Sequence, residues 1–495
     1  MRSVLFSCLL ASLLLVASAA EAATYYVRAD GNDNGDGRSH ATAWATLGKV
    51  SKQSLATSDI VLFHEGDTFS GTLTVKWAGT SSQLAMVGAY YLKNGVATRG
   101  YATSRPVIDG GNTLPSDHYD ALLRVRANWV RVENIKVINS RGRGIDVADS
   151  QSSAVVGCSV DGAYNSGIQF LRSTSPRAEQ NRVTHTGKGI KEGAPWGGGI
   201  EVQATTGAIL QGNTVTEVYG EGINANGGAD GTVIEGNYVY GARAVGIYAD
   251  ASPNTTIRRN VVVGTTNSEY WRTSRTVGAG IALNNESYHY ESVAALLSSV
   301  QSQRARVYDN LVAFTSSGFA IWGEYSLTSL DGLLVFNNTF VDNETQVTLQ
   351  ASVPKPNSRF INNILLSLSS GTRDVSGTDL AGMTATNNYF SNGNPGGGYT
   401  SSGNRFTGLS LAKMSGWRSI SSADQVTWSD FEVANGSSVI GAGDDEPLNM
   451  SSGGDTFQLD YNTTAHNEPM DMGALRFGPN LAAKQPAAPE NLALN

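Results

Sequence analysis

Cysteine is nearly absent from this chain. Of 495 residues only two are Cys, and Cys8 falls inside an N-terminal stretch that reads as a removable export signal. The exported chain would keep Cys158 alone, which excludes an internal disulfide. Stability then has to come from hydrogen bonds and stacked apolar side chains. Charge is scarce as well, with Asp, Glu, Lys and Arg at 16% of residues. The formal net charge is −8, which argues against a nucleic-acid partner. It leaves room for an acidic polysaccharide, because local Arg and Lys clusters can oppose the net charge. Long apolar runs are missing beyond the first 22 residues, so no membrane span is expected. Those first residues carry Arg2, the apolar Val4–Val16 and the small-residue site Ala20-Glu21-Ala22. They read as a signal peptide over 1–22, with a secreted or periplasmic address. Regular Leu spacing, long helical periods, a phosphate loop, zinc-ligand spacing and a Ser or Cys nucleophile constellation are all missing.

What the chain has is glycine, 56 residues of it, and a repeated phrase. A small or polar residue is followed by Asn and then by an apolar run. Examples are Gln180-Asn181-Arg182-Val183, Gly212-Asn213-Thr214-Val215, Gly236-Asn237-Tyr238-Val239 and Arg259-Asn260-Val261. With markers at 134, 158, 181, 213, 237, 260, 310, 338, 363 and 388, the steps are 24, 23, 32, 24, 23, 50, 28, 25 and 25. Most lie near 24, and the two long ones hold insertions. A period of this size, built from short β runs and Gly/Asn turns, means a solenoid. A second strand follows each marker by about ten residues: Gly144-Ile145-Asp146-Val147, Gly167-Ile168-Gln169-Phe170, Gly199-Ile200-Glu201-Val202, Gly222-Ile223-Asn224, Gly246-Ile247-Tyr248 and Gly280-Ile281-Ala282-Leu283. Alternation turns Ile and Val inward and the residue between them outward. Stacked turns would sit about 4.8 Å apart. The repeated Asn then forms an internal amide ladder at one bend, with Cys158 replacing it once in a buried position.

From Ala23 to Phe477 the chain resembles the right-handed parallel β-helix proteins, the pectate-lyase-like superfamily. The resemblance implies an all-β, single-stranded right-handed coil whose open N-terminal end is plugged by a short helix, read here as running to about Gln53. Many such proteins are polysaccharide lyases; others are glycoside hydrolases, uronan epimerases or binding proteins without chemistry. The expected organisation is an N-terminal cap and first coils over 23–125 and regular coils over 126–390, with insertions at 185–198 and 265–304. Last coils and a C-terminal cap follow over 391–480, then a tail over 481–495. A monomer is expected. The loop from Asp30 to Asp36 has a calcium-loop look but lacks the closing Glu, so a plain turn competes with that reading.

Both insertions flank the Gly-Ile-x strand, so its outward positions line the expected groove. One row is Asp146, Gln169, Glu201, Asn224, Tyr248 and Ala282. The next is Ala148, Leu171, Gln203, Asn226, Asp250 and Asn284, with Trp322 beyond. Hydrogen-bonding groups with Tyr and Trp platforms suit a linear sugar polymer. The first reading is β-elimination of a uronate polymer such as alginate or pectate. It needs a neutraliser for the carboxylate, a base and an acid. Arg243, Arg272 and Arg275 are the candidate neutralisers; Lys188, Lys191 and His185 the candidate bases; Tyr248 or Tyr219 an acid or base. The expected catalytic set is Lys188, Tyr248, Arg243, Glu201 and Asp250. The expected binding set is Trp196, Gln203, Tyr219, Asn224, Asn226, Trp271, Arg272, Arg275 and Trp322. Either no cofactor or a calcium ion held by Glu201, Glu221 and Asp250 is consistent with these oxygen ligands. The rival reading is inverting hydrolysis. Carboxylates two turns apart, Asp146 to Glu201 or Glu201 to Asp250, are separated by roughly 9–10 Å of coil axis, near the ~6.5–9.5 Å that inverting pairs use.

Overall fold

The computed structural model describes residues 22–474 apart from 194, 287–294, 296–301, 323–328, 351, 369–370, 377–379, 394–399, 410, 412–431 and 446–469. The signal segment, most of the helix-like stretch 292–304 and the tail from 481 lie outside the described residues.

The repeated phrase folds into one bend of a coil. Its first residue is held at positive φ: Gly157 at 59°, Gln180 at 54°, Gly212 at 64°, Arg259 at 54° and Asn337 at 53°. Side chains with a Cβ pay to sit in that left-handed region, and Gly, Asn and Asp pay least. That is why the residue before the ladder is so often small or polar. The next side chain turns inward. Asn181 Nδ2 donates to Asn213 Oδ1 at 2.9 Å, Asn213 to Asn237 at 2.9 Å and Asn237 to Asn260 at 3.0 Å. The chain of amides continues through Asn310, Asn338, Asn363 and Asn388 to Asn404. Each Oδ1 also takes the backbone N–H of the residue one turn below, as Asn213 Oδ1 does from Asn181 N at 3.0 Å. Buried donors and acceptors are thereby matched along the coil.

Asn134 is a correction to the sequence register. Val132 pairs with Val155 and Lys136 with Ser159, so Asn134 holds the left-handed position at φ 56°. Ile135, buried with Cys158 in the core, occupies the ladder position.

A regular coil contributes one strand to each of three sheets, of 15, 12 and 11 strands, parallel throughout apart from the strand Val96–Arg99, which pairs antiparallel with Ala85–Lys93. The path runs from sheet 1 through the Asn bend to sheet 2, around a second corner to sheet 3, and back to sheet 1 of the next coil. Val132, Val155, Ala178, Leu210 and Ile234 line the interior from sheet 1, Val137, Val160, Val183 and Val215 from sheet 2, and Ile145, Ile168, Ile200 and Ile223 from sheet 3, all at most 1% exposed. The expected N-terminal helix is Leu47–Lys52, capped by Thr46, and its Leu47 and Val50 close the first coil's core. In the loop before it, Asp33 accepts from Ala45 N, Thr46 N and Thr46 Oγ1, and Asp36 from Arg38 N and Thr42 Oγ1. Both carboxylates are engaged in fastening the turn. The described part of the C-terminal segment runs along the outer face of sheet 2. Val439, Met472 and Ala474 pack there on Val261, Leu311, Val341 and Ile364.

Candidate functional site

Sheet 3 carries the Gly-Ile-x strands, and its register aligns Asp146, Gln169, Glu201, Asn224, Tyr248 and Ala282 in one outward row. Gln203, Asn226, Asp250 and Asn284 align in the next. The alternation expected from the sequence is therefore present. The row is more enclosed than expected, because Asp146, Gln169, Asn224, Asn226, Tyr248, Asp250 and Asn284 are buried, whereas Glu201, Gln203 and Trp322 are half-buried.

The segments 185–198 and 265–278 both leave the corner between sheets 2 and 3, and they touch. Lys191 Nζ donates to Glu269 Oε1 at 2.6 Å and lies 4.4 Å over the Tyr219 ring. The Tyr219 hydroxyl donates to the same Glu269, and its ring packs on Tyr270 with centroids 4.9 Å apart. The Arg272 guanidinium stands 6.0 Å over Trp196. Together they make one wall beside sheet 3. Trp196 keeps 55% of its surface exposed, enough to offer a ring face to a ligand. Its indole N–H donates to Glu221 Oε2 at 2.7 Å.

Glu221 is the most perturbed carboxyl of the site. Burial pushes its pKa up to about 7, the neighbouring Glu201 and Glu286 push in the same direction, and the Trp196 hydrogen bond offsets part of the rise. Glu201 is held otherwise. It accepts from Ser166 Oγ at 2.7 Å, Gln169 Nε2 at 2.9 Å and Asn226 Nδ2 at 3.2 Å. Glu286 accepts from the Tyr248 hydroxyl at 2.7 Å, and its own backbone N–H donates to Asp250 Oδ1 at 2.8 Å. Burial, aided by Asp250 and Glu286, holds the Tyr248 hydroxyl far above the usual phenol range. Its ring stacks on Trp322 at 5.6 Å. Acceptors outnumber donors here: Gln169 Oε1, Asn224 Oδ1, Asn226 Oδ1 and Asn284 Oδ1 are buried without a hydrogen-bond partner.

Other expected site residues stand apart from this cluster. Lys188 Nζ lies against Gly162 on the sheet 2 side of the corner, where its charge acts on Asp161. His185 is clamped between Asp161 at 2.9 Å and Glu217 at 3.2 Å, and these bonds raise its pKa to about 9. It is an imidazolium at neutral pH and no base. Arg243 lies at the corner just before the strand Val245–Asp250. Arg275 is paired with Glu344 at 2.9 Å. Trp271 donates its indole N–H to Thr265 O at 2.7 Å. Among the described residues no three His, Cys, Asp or Glu side chains gather into a metal-ligating cluster. Glu201, Glu221 and Asp250 do not form one.

Sequence reasoning missed Glu286 and Ser166 as members of the site. Glu286 sits two residues past Asn284, at the start of an insertion, where the period that identifies rows stops. Ser166 precedes the Gly-Ile strand, outside the alternation.

The coil of parallel sheets with an enclosed polar face is the architecture of β-helix proteins. The chain matches the family described as the right handed beta helix region over residues 92–229 and 193–365. It belongs to that family. No curated protein matches the sequence. Among solved structures, pectate lyase Pel9A is 16% identical with a TM-score of 0.53, covering 92% of this chain and 96% of its own. XylC, solved in complex with xylose, is 11% identical with a TM-score of 0.51, covering 92% of this chain and 98% of its own. An alginate lyase from Paenibacillus sp. str. FPU-7 is 16% identical with a TM-score of 0.47, covering 63% and 95%. The likenesses to Pel9A and XylC show the fold.

Proposed function

We propose that the chain is an exported enzyme that cleaves a polysaccharide along sheet 3, by hydrolysis of a glycosidic bond. One observation carries the reading: two neighbouring carboxyls in opposite surroundings. Glu221 is buried, with a pKa of about 7, so a large share of it is protonated at neutral pH. Glu201 is half-buried and holds three donors. A buried carboxyl that keeps its proton, beside a carboxyl that already accepts three hydrogen bonds, can divide the acid and base roles. Glu221 gives its proton to the leaving glycosidic oxygen, and Glu201 takes one from the attacking water. The exposed face of Trp196 is the platform for a sugar ring.

A second reading, elimination from a uronate polymer, has one observation in its favour. Arg243 and Arg272 make no ion pair among the described residues, so either can meet a uronate carboxylate. Its weakness is the base, since Lys188 faces the other side of the corner and Tyr248 is held protonated. A polymer panel separates the two. New reducing ends without unsaturated-uronate absorbance support hydrolysis; both signals together replace it with elimination. Glu221→Gln is expected to lose roughly 100- to 10,000-fold in turnover. Full activity in that variant would remove Glu221 from the mechanism.

A further inference from the structure

A cavity of about 430 Å³ opens at the corner between sheets 2 and 3. Its floor comes from the corners of successive coils, at Thr265, Phe314 and Asp342, and its wall from Trp271 and Arg275 in the second insertion. None of the outward rows of sheet 3 takes part in it. The volume lies toward the small end of the ~300–1,000 Å³ that ligand pockets occupy, which suits one or two sugar rings.

Two features show a surface set before any ligand arrives. The indole N–H of Trp271 is tied to Thr265 O at 2.7 Å, which fixes the plane of the ring. The Arg275 Nε is tied to Glu344 Oε1 at 2.9 Å, which fixes the guanidinium. Side chains already held lose little freedom on binding. The charged side chains lining the cavity are Asp342, Glu344 and Arg275, one more negative than positive. That balance disfavours a uronate and favours hydroxyl groups, which can donate to the carboxylates and accept from the guanidinium. A fixed indole plane beside such groups matches the apolar face and hydroxyl edge of a pyranose.

We propose that this corner cavity is a glycan subsite separate from the sheet 3 groove, taking a neutral pyranose residue on Trp271. The assignment does not depend on which reaction the groove performs. Its test is ligand-detected NMR on the full chain, with cellobiose, xylobiose, lactose and digalacturonate as the probes. At least one neutral disaccharide is expected to bind the wild type and the Glu221→Gln variant equally. Trp271→Ala is expected to weaken that binding about tenfold, the worth of one ring-stacking contact. Because Trp271→Ala removes a packed ring, Glu344→Gln, which keeps the side chain's size, provides a second probe. It too is expected to weaken binding with the melting temperature unchanged. Trp196→Ala, in the groove wall, is expected to leave it intact. Digalacturonate as the preferred ligand, no binding of any neutral sugar, or loss through Trp196→Ala in place of Trp271→Ala would each overturn the proposal.

Discussion

At the scale of single residues, the ladder amides do the most. Asn237 donates to Leu210 O and Asn260 Oδ1 and accepts from the backbone and side-chain nitrogens of Asn213. Replacing it by Leu leaves Asn213 N and Leu210 O without their side-chain partner in a buried site, at roughly 1–3 kcal/mol. Thermal melts of Asn237→Leu are expected to show a clear fall in midpoint; an unchanged midpoint would mean the ladder adds nothing. Cys158 and Ile135 are tolerated because they lie beyond Asn181, where the amide chain ends. The ladder was legible because Asn recurs at one step size, and the slip at Asn134 has the same root. Asn serves both the left-handed position and the ladder position, so an isolated Asn does not say which it fills. Glu221 makes the opposite trade. Its folded pKa of about 7 stands above the ordinary 4.5. The native state therefore holds a proton more tightly than the unfolded chain, and stability is lost as pH rises from 4.5 through about 7. Glu221→Gln escapes that loss. Melts at pH 5 and pH 8 are expected to show the variant gaining on the wild type only at the higher pH, by on the order of 3 kcal/mol at most. A site group that costs stability where it is charged is what a functional carboxyl looks like.

At the scale of elements, the corner between sheets 2 and 3 concentrates the irregular chain. The two insertions were visible as long steps in the period, and their place beside the Gly-Ile-x strand followed from order along the chain. Their mutual contact, Lys191 to Glu269, was not legible, because nothing in the spacing of 78 residues joins them. Likewise His185 read as a base from its type alone, and only the stacking of coils reveals the carboxylates on either side. That clamp has a pH signature. The folded pKa of about 9 exceeds the ordinary 6.5. Its stabilisation is fully present below 6.5 and is lost as pH rises through about 9. His185→Gln is expected to lower the melting point at pH 6 and to match the wild type by pH 10. Because the imidazole is half exposed the difference stays under about 1 kcal/mol. In the groove wall, Trp196→Phe keeps the ring and removes the N–H that restrains the Glu221 pKa. The alkaline limb of the pH profile of kcat/KM is expected to move upward with KM little changed. A Trp196 that serves only as a platform would leave the limb in place.

At the scale of the whole molecule, a coil has an inside, and its outside is ordinarily solvent. Sheet 2 departs from this. Its outer positions Val261, Val263, Leu311, Ala313, Val341, Ile364 and Leu366 are all buried, in one apolar cluster with Val433, Val439, Met472 and Ala474 of the C-terminal segment. Gly473 N donates to Asn362 O and Ala474 N to Thr339 Oγ1, while Asn362 Nδ2 donates to Asp444 O and Asn362 Oδ1 accepts from Asp444 N. The sequence showed the reason without its meaning. Where a strand is apolar on both faces, as in Val261-Val262-Val263, both faces are covered, but periodicity cannot say by what. A chain ending at residue 431 is expected to keep its coil, since the ladder through Asn404 and the interior rows are untouched by the cut. It is also expected to expose that apolar stripe, which on a monomer invites association. Size-exclusion and dye-binding measurements on the truncated chain should show self-association or bound hydrophobic dye with the β content retained. A truncated chain that stays monomeric and binds no dye would mean that another part of the molecule, and not residues 432–445 and 470–474, covers the outer face of sheet 2.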